Sequence, residues 1–260
     1  MNNQFNIPST IITGADASRE LAPQLQRRGI TRVLLVTDAF MVSSGLAPRV
    51  VADLTAAEIT VEVFADVQPD PSEDNVLAGF ARLQACDAQA VVALGGGSPI
   101  DCAKVIAVLP NNPTPMTSFM GRHQVPHAGL PLFTIPTTAG TGSEVTKVAV
   151  ITDTKRDVKM MMLDQHLMPT VALVDYELSL SMPAALTAAV GVDTLTHGIE
   201  AYVSRMATAL TDPLALSCIQ LCGEHLETAW NEPDNHVARE GMMLAATQGG
   251  MAFANSSVAL

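Results

Sequence analysis

Between residues 31 and 175 the chain alternates short apolar runs with longer helical stretches, and this alternation limits the possible folds strongly. The runs consist mostly of Val, Ile, Leu and Ala with little polar alternation, as strands of a parallel sheet do when helices cover both of its faces. The pattern therefore predicts an α/β fold built on a parallel sheet. The predicted strands are 32–37, 60–64, 90–94, 132–135 and 170–174, and the predicted helices among them are 45–57, 72–86 and 99–109.

The pattern changes near residue 180. Beyond that point no β-branched run occurs, and the predicted helices are 183–190, 192–204, 212–230 and 236–254. At about 150 residues per domain, a chain of 260 residues holds one or two domains. We therefore expect an α/β dinucleotide-binding domain over 1–180, including a strand or hairpin near Val148 and Ile151, and an all-helical domain over 181–260.

The composition excludes several classes of protein. The formal net charge is −12, which repels phosphate backbones and anionic lipids, and no basic patch offsets it. Neither nucleic acid nor a membrane surface is therefore an expected partner. The amino terminus lacks the basic start and apolar run of a secretion signal, and nowhere do 18 apolar residues follow one another. Four cysteines without C-x-x-C spacing also favour a cytoplasmic location.

A glycine-rich turn follows the third predicted strand, in the sequence AVVALGGGSPIDCAKVIAV at 90–108. Glycines permit close approach of the backbone to a ligand, and the free amides at the start of a helix attract anions. Gly96, Gly97 and Ser98 are therefore candidates for binding a diphosphate. A plain strand-to-helix turn with Ser98 as the N-cap is the alternative, because the pattern matches neither G-x-G-x-x-G nor the Walker sequence.

A second loop, IPTTAGTGSE, follows the next predicted strand. Thr137, Thr138 and Thr141 offer hydroxyls that can bond phosphate, ribose or a carboxamide, although a self-bonded turn would also explain them. Open α/β sheets bind ligands at the carboxyl ends of their strands, so two such loops on neighbouring strands favour a nucleotide site. Asp38 ends the first predicted strand. Its carboxylate would accept hydrogen bonds from ribose and repel a 2′-phosphate, which favours NAD over NADP, but it equally fits a turn or an N-cap.

Asp193 and His197 lie four residues apart within GVDTLTHGIEAYVS. On one helix both side chains would project from the same face, where a carboxylate and an imidazole can hold Fe²⁺ or Zn²⁺. Taken alone, such a pair is more often a surface ion pair, and a catalytic metal usually has three protein ligands. Glu144 is interpreted as a charge at the end of a helix or strand, and Lys159 as a solvated lysine. No side chain stands out as a catalytic general base.

Three ordered motifs, GGGSPIDCAK, PTTAGTGSEVT and GVDTLTHGIEAYVS, make the chain resemble the iron-containing (group III) alcohol dehydrogenases. The resemblance covers essentially all 260 residues. It implies an enzyme that holds NAD(P) and Fe²⁺, in some members Zn²⁺, between two domains. Such an enzyme transfers a hydride between NAD and a small primary alcohol or aldehyde. The resemblance also implies a homodimer formed through residues 5–12.

The resemblance assigns a role to individual residues. Asp193 and His197 match the first two metal ligands. Lys159 would approach the nicotinamide ribose, and Leu178 would pack against the adenosine end of the cofactor. The other implied cofactor residues are Asp38, Gly96, Gly97, Ser98, Thr137, Thr138 and Thr141.

The resemblance also implies two further histidine ligands beyond GMAFANSSVAL, the segment that ends at Leu260. We therefore expect an incomplete helical domain, and little or no dehydrogenase activity from the 260-residue polypeptide. Two other functions stay open: a relative of glycerol dehydrogenase or dehydroquinate synthase, and an inactive remnant that only binds nucleotide. The second and third motifs fit the iron-containing alcohol dehydrogenases better than they fit those relatives.

Overall fold

The structure is a computed structural model that describes residues 4–113 and 115–258. Its strands are β1 (Thr10–Thr13), β2 (Arg32–Val36), β3 (Thr60–Phe64), β4 (Ala90–Gly95), β5 (Gly121–Arg122), β6 (Leu132–Pro136), β7 (Val148–Asp153), β8 (Val158–Leu163) and β9 (Val171–Val174). Six of them form a parallel sheet in the order β1-β9-β6-β4-β2-β3. The predicted parallel α/β fold is therefore confirmed.

Helices cover both faces of this sheet. They are α1 (Leu21–Gln26), α2 (Ala39–Ser43), α3 (Leu46–Ala56), α4 (Glu73–Ala85) and α5 (Gly97–Val108), and α6 (Ala184–Val203), α7 (Asp212–Asn231) and α8 (His236–Ser256) follow the sheet. Alternate residues of β2 enter different cores: Leu34 packs in a cluster with residues of α4 and α5, and Leu35 in a cluster with residues of α1 and α3. Burial on both faces explains why the strands lack polar alternation.

The strand order places the ends of three strands beside one another. Strand β2 lies between β3 and β4, so the chain proceeds in opposite directions on the two sides of β2. Such a reversal opens a crevice at the carboxyl ends of the strands. Gly95 at the end of β4 pairs with Pro136 at the end of β6, which brings the two predicted loops next to each other.

The predicted hairpin after the fourth apolar run is confirmed. Strands β7 and β8 pair antiparallel, and β5 joins β8 to form a small three-stranded sheet. Met160 and Met162 are buried and Met161 is exposed, as alternation along a strand requires. Two of the three consecutive methionines therefore fill the core beneath this sheet.

The helical region differs from the prediction at its first helix. Instead of two helices, 183–190 and 192–204, α6 runs without a break from Ala184 to Val203. Gly191 does not end a helix. A Cβ atom on Gly191 would lie 2.2 Å from Leu226 Cδ1 of α7, so this glycine allows the two helices to pack closely.

Helices α7 and α8 match their predictions to within two residues at each end. Leu260 lies outside the described residues, so the apolar run that ends there is described only as far as Val258. The last strand of the parallel sheet ends at Val174 and α6 begins at Ala184, on either side of the predicted domain boundary near residue 180. Within the described residues, no helix is both long enough and apolar enough to cross a membrane.

Candidate cofactor and metal site

The glycine-rich turn leads directly from β4 into α5. Gly95 has a φ of 142°, in a region that favours glycine, and a Cβ atom there would lie 2.8 Å from Pro99 Cγ. Gly96 is the N-cap and Gly97 begins the helix, so Ser98 is its second residue and not its N-cap. The first-turn amides of a 12-residue helix therefore face the crevice, where the helix dipole favours an anion.

The threonine-rich loop packs directly onto this turn. The Thr137 amide donates to the Gly95 carbonyl at 3.1 Å. A Cβ atom on Gly96 would lie 3.3 Å from Thr138 Oγ1, and one on Gly97 would lie 2.9 Å from Thr141 Cγ2. The two glycines are therefore required for the contact between the loops, and the two candidate cofactor segments form one surface.

Two cavities open beside this surface. The large cavity has a volume of about 570 Å³ and the small cavity about 210 Å³, and Gly97 and Ser98 line both. The large cavity is lined by the predicted residues Asp38, Gly96, Gly97, Ser98, Thr137 and Thr138, and on the side of the helical region by Ser181, Met182, Pro183 and Leu186. The small cavity is lined by Gly97, Ser98 and Thr141 and by Asp70, Asp101, Val150 and Thr152.

Asp38 combines two of the interpretations made from the sequence. It is the N-cap of α2, where its Oδ1 accepts a hydrogen bond from the Met41 amide at 2.9 Å. It also lines the large cavity, and its other oxygen, Oδ2, lies next to Gly95. One carboxylate oxygen therefore caps the helix while the other lies beside the glycine-rich turn.

Lys159 and Leu178 do not line either cavity. Lys159 lies on β8, largely exposed, and its Nζ forms an ion pair with Asp70 Oδ1 at 2.6 Å. Asp70 itself lines the small cavity, so Lys159 reaches that cavity through one partner. Leu178 is buried in the same apolar cluster as Met41, which lines the large cavity. Leu178 thus shares an apolar cluster with one residue of the cavity wall.

A buried charged cluster lies below the two loops and carries no clear signal in the sequence. Lys104 is fully buried, and its Nζ donates to Ser143 Oγ at 2.7 Å, Thr146 Oγ1 at 3.0 Å and the Val148 carbonyl at 2.6 Å. Ser143 Oγ donates in turn to Asp101 Oδ1 at 2.6 Å. Burial lowers the pKa of the Lys104 ammonium, and the nearby carboxylates of Asp101 and Glu144 partly oppose this.

Glu144 belongs to this cluster; it is a charge at the end of a helix, as the sequence suggested, but it is buried. It lies in a short 3₁₀ helix, Ser143–Val145, and only 2% of it is exposed. Burial raises the pKa of its carboxyl, while the hydroxyl of Thr247 donates to its Oε1 at 2.9 Å and lowers that pKa. Whether a charged residue is buried depends on partners distant in sequence, and a local pattern does not contain them.

Asp193 and His197 project from the same face of α6, as their spacing predicts. Their closest atoms, Asp193 Oδ1 and His197 Nε2, are 3.7 Å apart. The His197 ring packs against Phe253 of α8, with the ring centroids 4.6 Å apart. Its Nδ1 atom is buried and has no hydrogen-bond partner among the described residues. The nitrogen nearest to the carboxylate is Nε2, so His197 Nε2 and Asp193 Oδ1 are the pair available to one cation, and this donor set suits Fe²⁺ or Zn²⁺.

The metal pair is less complete than the cofactor surface. Asp193 is 48% exposed at its side chain, and neither residue lines the large or the small cavity. In residues 4–113 and 115–258, no three His, Cys, Asp or Glu side chains come together in a way that could hold a metal ion. The described residues thus supply two candidate ligands, whereas a catalytic metal site usually needs three.

Comparison with known proteins agrees with this arrangement. The family model for iron-containing alcohol dehydrogenase matches residues 8–176, and the C-terminal model of the same family matches residues 187–260. The chain belongs to the iron-containing alcohol dehydrogenase family. The family resemblance drawn from the three motifs is therefore confirmed.

Alignments with named alcohol dehydrogenases and reductases include nearly all of this chain. NAD-dependent methanol dehydrogenase from Bacillus methanolicus is 40% identical over 256 residues, which are 98% of this chain and 67% of that protein. A crystal structure of 1,3-propanediol oxidoreductase has a TM-score of 0.97 at 34% identity and matches 99% of this chain and 68% of that one. Sulfoacetaldehyde reductase from Bifidobacterium kashiwanohense, solved with NAD⁺, has a TM-score of 0.92 at 33% identity, with 99% and 68% covered.

The chain spans about two thirds of the length of the curated relatives it matches, from 60% to 67% for the first three. The matched part includes the whole parallel sheet and helices α6 to α8. The remaining third of those relatives has no counterpart in these 260 residues.

Proposed function

We propose that this chain binds NAD in the cleft formed by the large and the small cavity. The adenosine half lies in the large cavity, the diphosphate at the first turn of α5, and the nicotinamide half toward the small cavity. The observation that carries this proposal is the meeting of the two loops at Gly96 and Gly97, beside two cavities that Gly97 and Ser98 both line. The NAD dependence of the methanol dehydrogenase and the NAD⁺ complex of the sulfoacetaldehyde reductase support it.

Each loop has its own task in binding. The amides of Gly96, Gly97 and Ser98 donate to the diphosphate, because the start of α5 offers unpaired N–H groups. Hydroxyls of the threonine-rich loop bond the ribose, the phosphates and the carboxamide. These hydroxyls belong to Thr137, Thr138 and Thr141. Lys159 acts near the nicotinamide ribose through its ion pair with Asp70.

Asp38 sets the preference between NAD and NADP in this proposal. Its Oδ2 accepts hydrogen bonds from the adenosine ribose and would repel a 2′-phosphate. Leu178 holds the wall of the adenosine pocket by packing in the cluster that contains Met41. We therefore expect NADH to bind more tightly than NADPH by about tenfold or more, or about 1.4 kcal/mol.

We infer further that the family member transfers a hydride between NAD and a small primary alcohol or aldehyde. Asp193 and His197 would contribute a carboxylate oxygen and an imidazole nitrogen to an Fe²⁺ or Zn²⁺ ion. When bound, such an ion supplies Lewis acidity that lowers the pKa of the alcohol hydroxyl. The loops of this chain orient the nicotinamide ring so that one of its faces meets the substrate carbon.

Titration with NADH, followed by quenching of protein fluorescence or by calorimetry, tests the cofactor proposal. We expect saturable binding of one NADH per chain and weaker binding of NADPH. Absence of saturable NADH binding to the folded chain would contradict the proposal. Product analysis with simple primary alcohols and aldehydes, in a relative that contains the full helical domain, separates this reaction from glycerol dehydrogenase and dehydroquinate synthase chemistry.

A second candidate function is cofactor binding without turnover by the 260-residue polypeptide. It is favoured because the described residues bring together only two metal ligands. We expect the desalted polypeptide to hold well under one Fe²⁺ or Zn²⁺ per chain by mass spectrometry and to show no NADH-linked turnover. Stoichiometric metal together with turnover would establish the first function for this polypeptide.

Location and assembly are further parts of the proposal. We place the protein in the cytoplasm, since all four cysteines are free and three are buried among apolar residues. We place the homodimer contact at residues 5–12, because β1 forms one edge of the six-stranded sheet and can meet a second copy there. Light scattering after gel filtration distinguishes a monomer from a dimer.

A further inference from the structure

Thr247 on α8 and Glu144 in the threonine-rich loop form a buried contact between the two domains. The Thr247 hydroxyl donates to Glu144 Oε1 at 2.9 Å, and the two residues are only 3% and 2% exposed. They are 103 residues apart in sequence, and neither lines the large or the small cavity. A hydroxyl of the helical region thus donates to a buried carboxylate of the threonine-rich loop.

The backbones of the loop and of α8 also meet without a side chain between them. A Cβ atom on Gly142 would lie 2.7 Å from the Gly250 Cα and 2.8 Å from the Ala246 carbonyl oxygen. A Cβ atom on Gly250 would lie 2.7 Å from the Gly142 carbonyl oxygen. The loop therefore rests directly on α8, on either side of Thr247, and a shift of the loop would be transmitted to that helix.

From Glu144 the contacts continue to the cofactor cleft. Its neighbour Ser143 donates to Asp101, which lines the small cavity. Lys104 donates to Ser143 and faces the charge of Glu144. The positions of Ser143 and Thr141 are thus coupled to the carboxylate that Thr247 satisfies.

We propose that the Thr247–Glu144 hydrogen bond positions the threonine-rich loop for NAD binding, so that a hydroxyl on α8 outside the cleft controls cofactor affinity. Without that hydroxyl, a buried carboxylate oxygen loses its donor, and burying such a group unpaired is unfavourable. The loop then moves away from α8, and Thr141 no longer packs on Gly97. This inference rests on the proposed function, because its first readout is NADH affinity.

Three single variants test it. T247V removes the hydroxyl at nearly constant volume, and T247S keeps it. T211V is the matched control: Thr211 is also a buried threonine, but its hydroxyl bonds only within the turn before α7, accepting from the Thr208 amide at 2.8 Å. We expect T247V to weaken NADH binding about tenfold. We expect T247S and T211V to stay within about twofold of the parent chain.

Thermal melts separate positioning from stability. T247V and T211V should both lower Tm, because each loses a buried hydrogen bond. Only T247V should also change NADH affinity. Equal NADH affinity in T247V and T211V, or failure of T247S to restore binding, would overturn the proposal.

A double-mutant cycle tests whether the effect passes through Glu144. In an E144L background the partner of the hydroxyl is gone, so adding T247V should change NADH affinity by less than about twofold. The same tenfold loss in both backgrounds would show that Thr247 acts by another route, and would overturn the proposal.

If the parent chain does not bind NADH, the proposed function is contradicted, but the positioning role of Thr247 is not. Hydrogen exchange then tests that positioning role without the cofactor. Amides of residues 137–146 should exchange faster in T247V than in T211V or T247S, because the loop is released from α8. Unchanged exchange in T247V would overturn the positioning role whatever the cofactor result.

Discussion

The cofactor cleft and the metal pair of this protein are built in different ways. The cleft is made by two loops that follow neighbouring strands, contact each other through Gly96 and Gly97, and rest on a buried charged cluster. The metal pair lies on a single helix, with Asp193 about half exposed and no third ligand nearby among the described residues. The cleft is assembled mainly at the ends of the sheet strands, whereas one helix supplies both members of the metal pair.

This difference indicates that the chain can bind the cofactor without retaining a metal ion. A dinucleotide cleft uses backbone amides and short hydroxyls at the ends of parallel strands, and the sheet alone brings these together. A catalytic metal needs three protein ligands whose geometry is set by the packing of separate helices. Cofactor binding and metal retention should therefore be separable in this polypeptide.

The largest expected effect comes from Gly97→Val. The added side chain would clash with Thr141, because a Cβ atom at Gly97 already lies 2.9 Å from Thr141 Cγ2. Separation of the two loops should weaken NADH binding on the order of 100-fold, or about 2.7 kcal/mol, as measured by fluorescence titration. Gly223→Ala on α7 is the control, since nothing lies within 4 Å of its added methyl group. Unchanged NADH binding in the Gly97 variant would show that the cofactor does not use this cleft.

A moderate effect is expected from Asp38→Asn. Asparagine keeps the N-cap of α2, so only the negative charge at the cavity is removed. NADH binding should weaken about tenfold, or about 1.4 kcal/mol. The affinity for NADPH relative to NADH should therefore rise. Titration with both cofactors measures the ratio. If the ratio of NADH to NADPH affinity equals that of the parent chain, Asp38 does not bind the ribose.

The smallest effect on the cofactor is expected from Asp193→Ala. This residue lies on α6, lines neither cavity, and contacts His197 rather than the loops. NADH affinity should stay within about twofold, because the change removes no group from the cleft. Any residual binding of Zn²⁺, followed by titration of the apo chain, should be lost. Loss of NADH binding with Zn²⁺ binding retained would show that Asp193 serves the cofactor site and not the metal site.

Much of the cofactor side could be predicted because its signals are local. An apolar run predicts a buried strand, and glycine followed by a helix start predicts an anion site, so Gly96, Gly97 and Ser98 could be proposed as candidates from their own neighbours. Their assembly into one surface also followed, since carboxyl ends of adjacent parallel strands meet at one edge. The order of the strands and the shape of the two cavities needed the structure.

What could not be predicted depends on partners far away in sequence. Gly191 suggested a helix end, but it is a packing glycine because Leu226 of α7 occupies the space of its side chain. Lys104 and Glu144 are buried charges that the sequence alone would place at the surface. Their burial follows from partners such as Ser143 and Thr247, which only the tertiary fold supplies.

The double use of Asp38 has an evolutionary consequence. Because one of its oxygens caps α2 and the residue also lines the large cavity, a mutation that alters the proposed role of Asp38 in cofactor preference also risks fraying the helix. Substitutions that keep a capping side chain, such as Asn, Ser or Thr, lose the charge without that penalty. Drift toward NADP in descendants of this chain should therefore pass through those three residues more readily than through alanine or a larger apolar side chain.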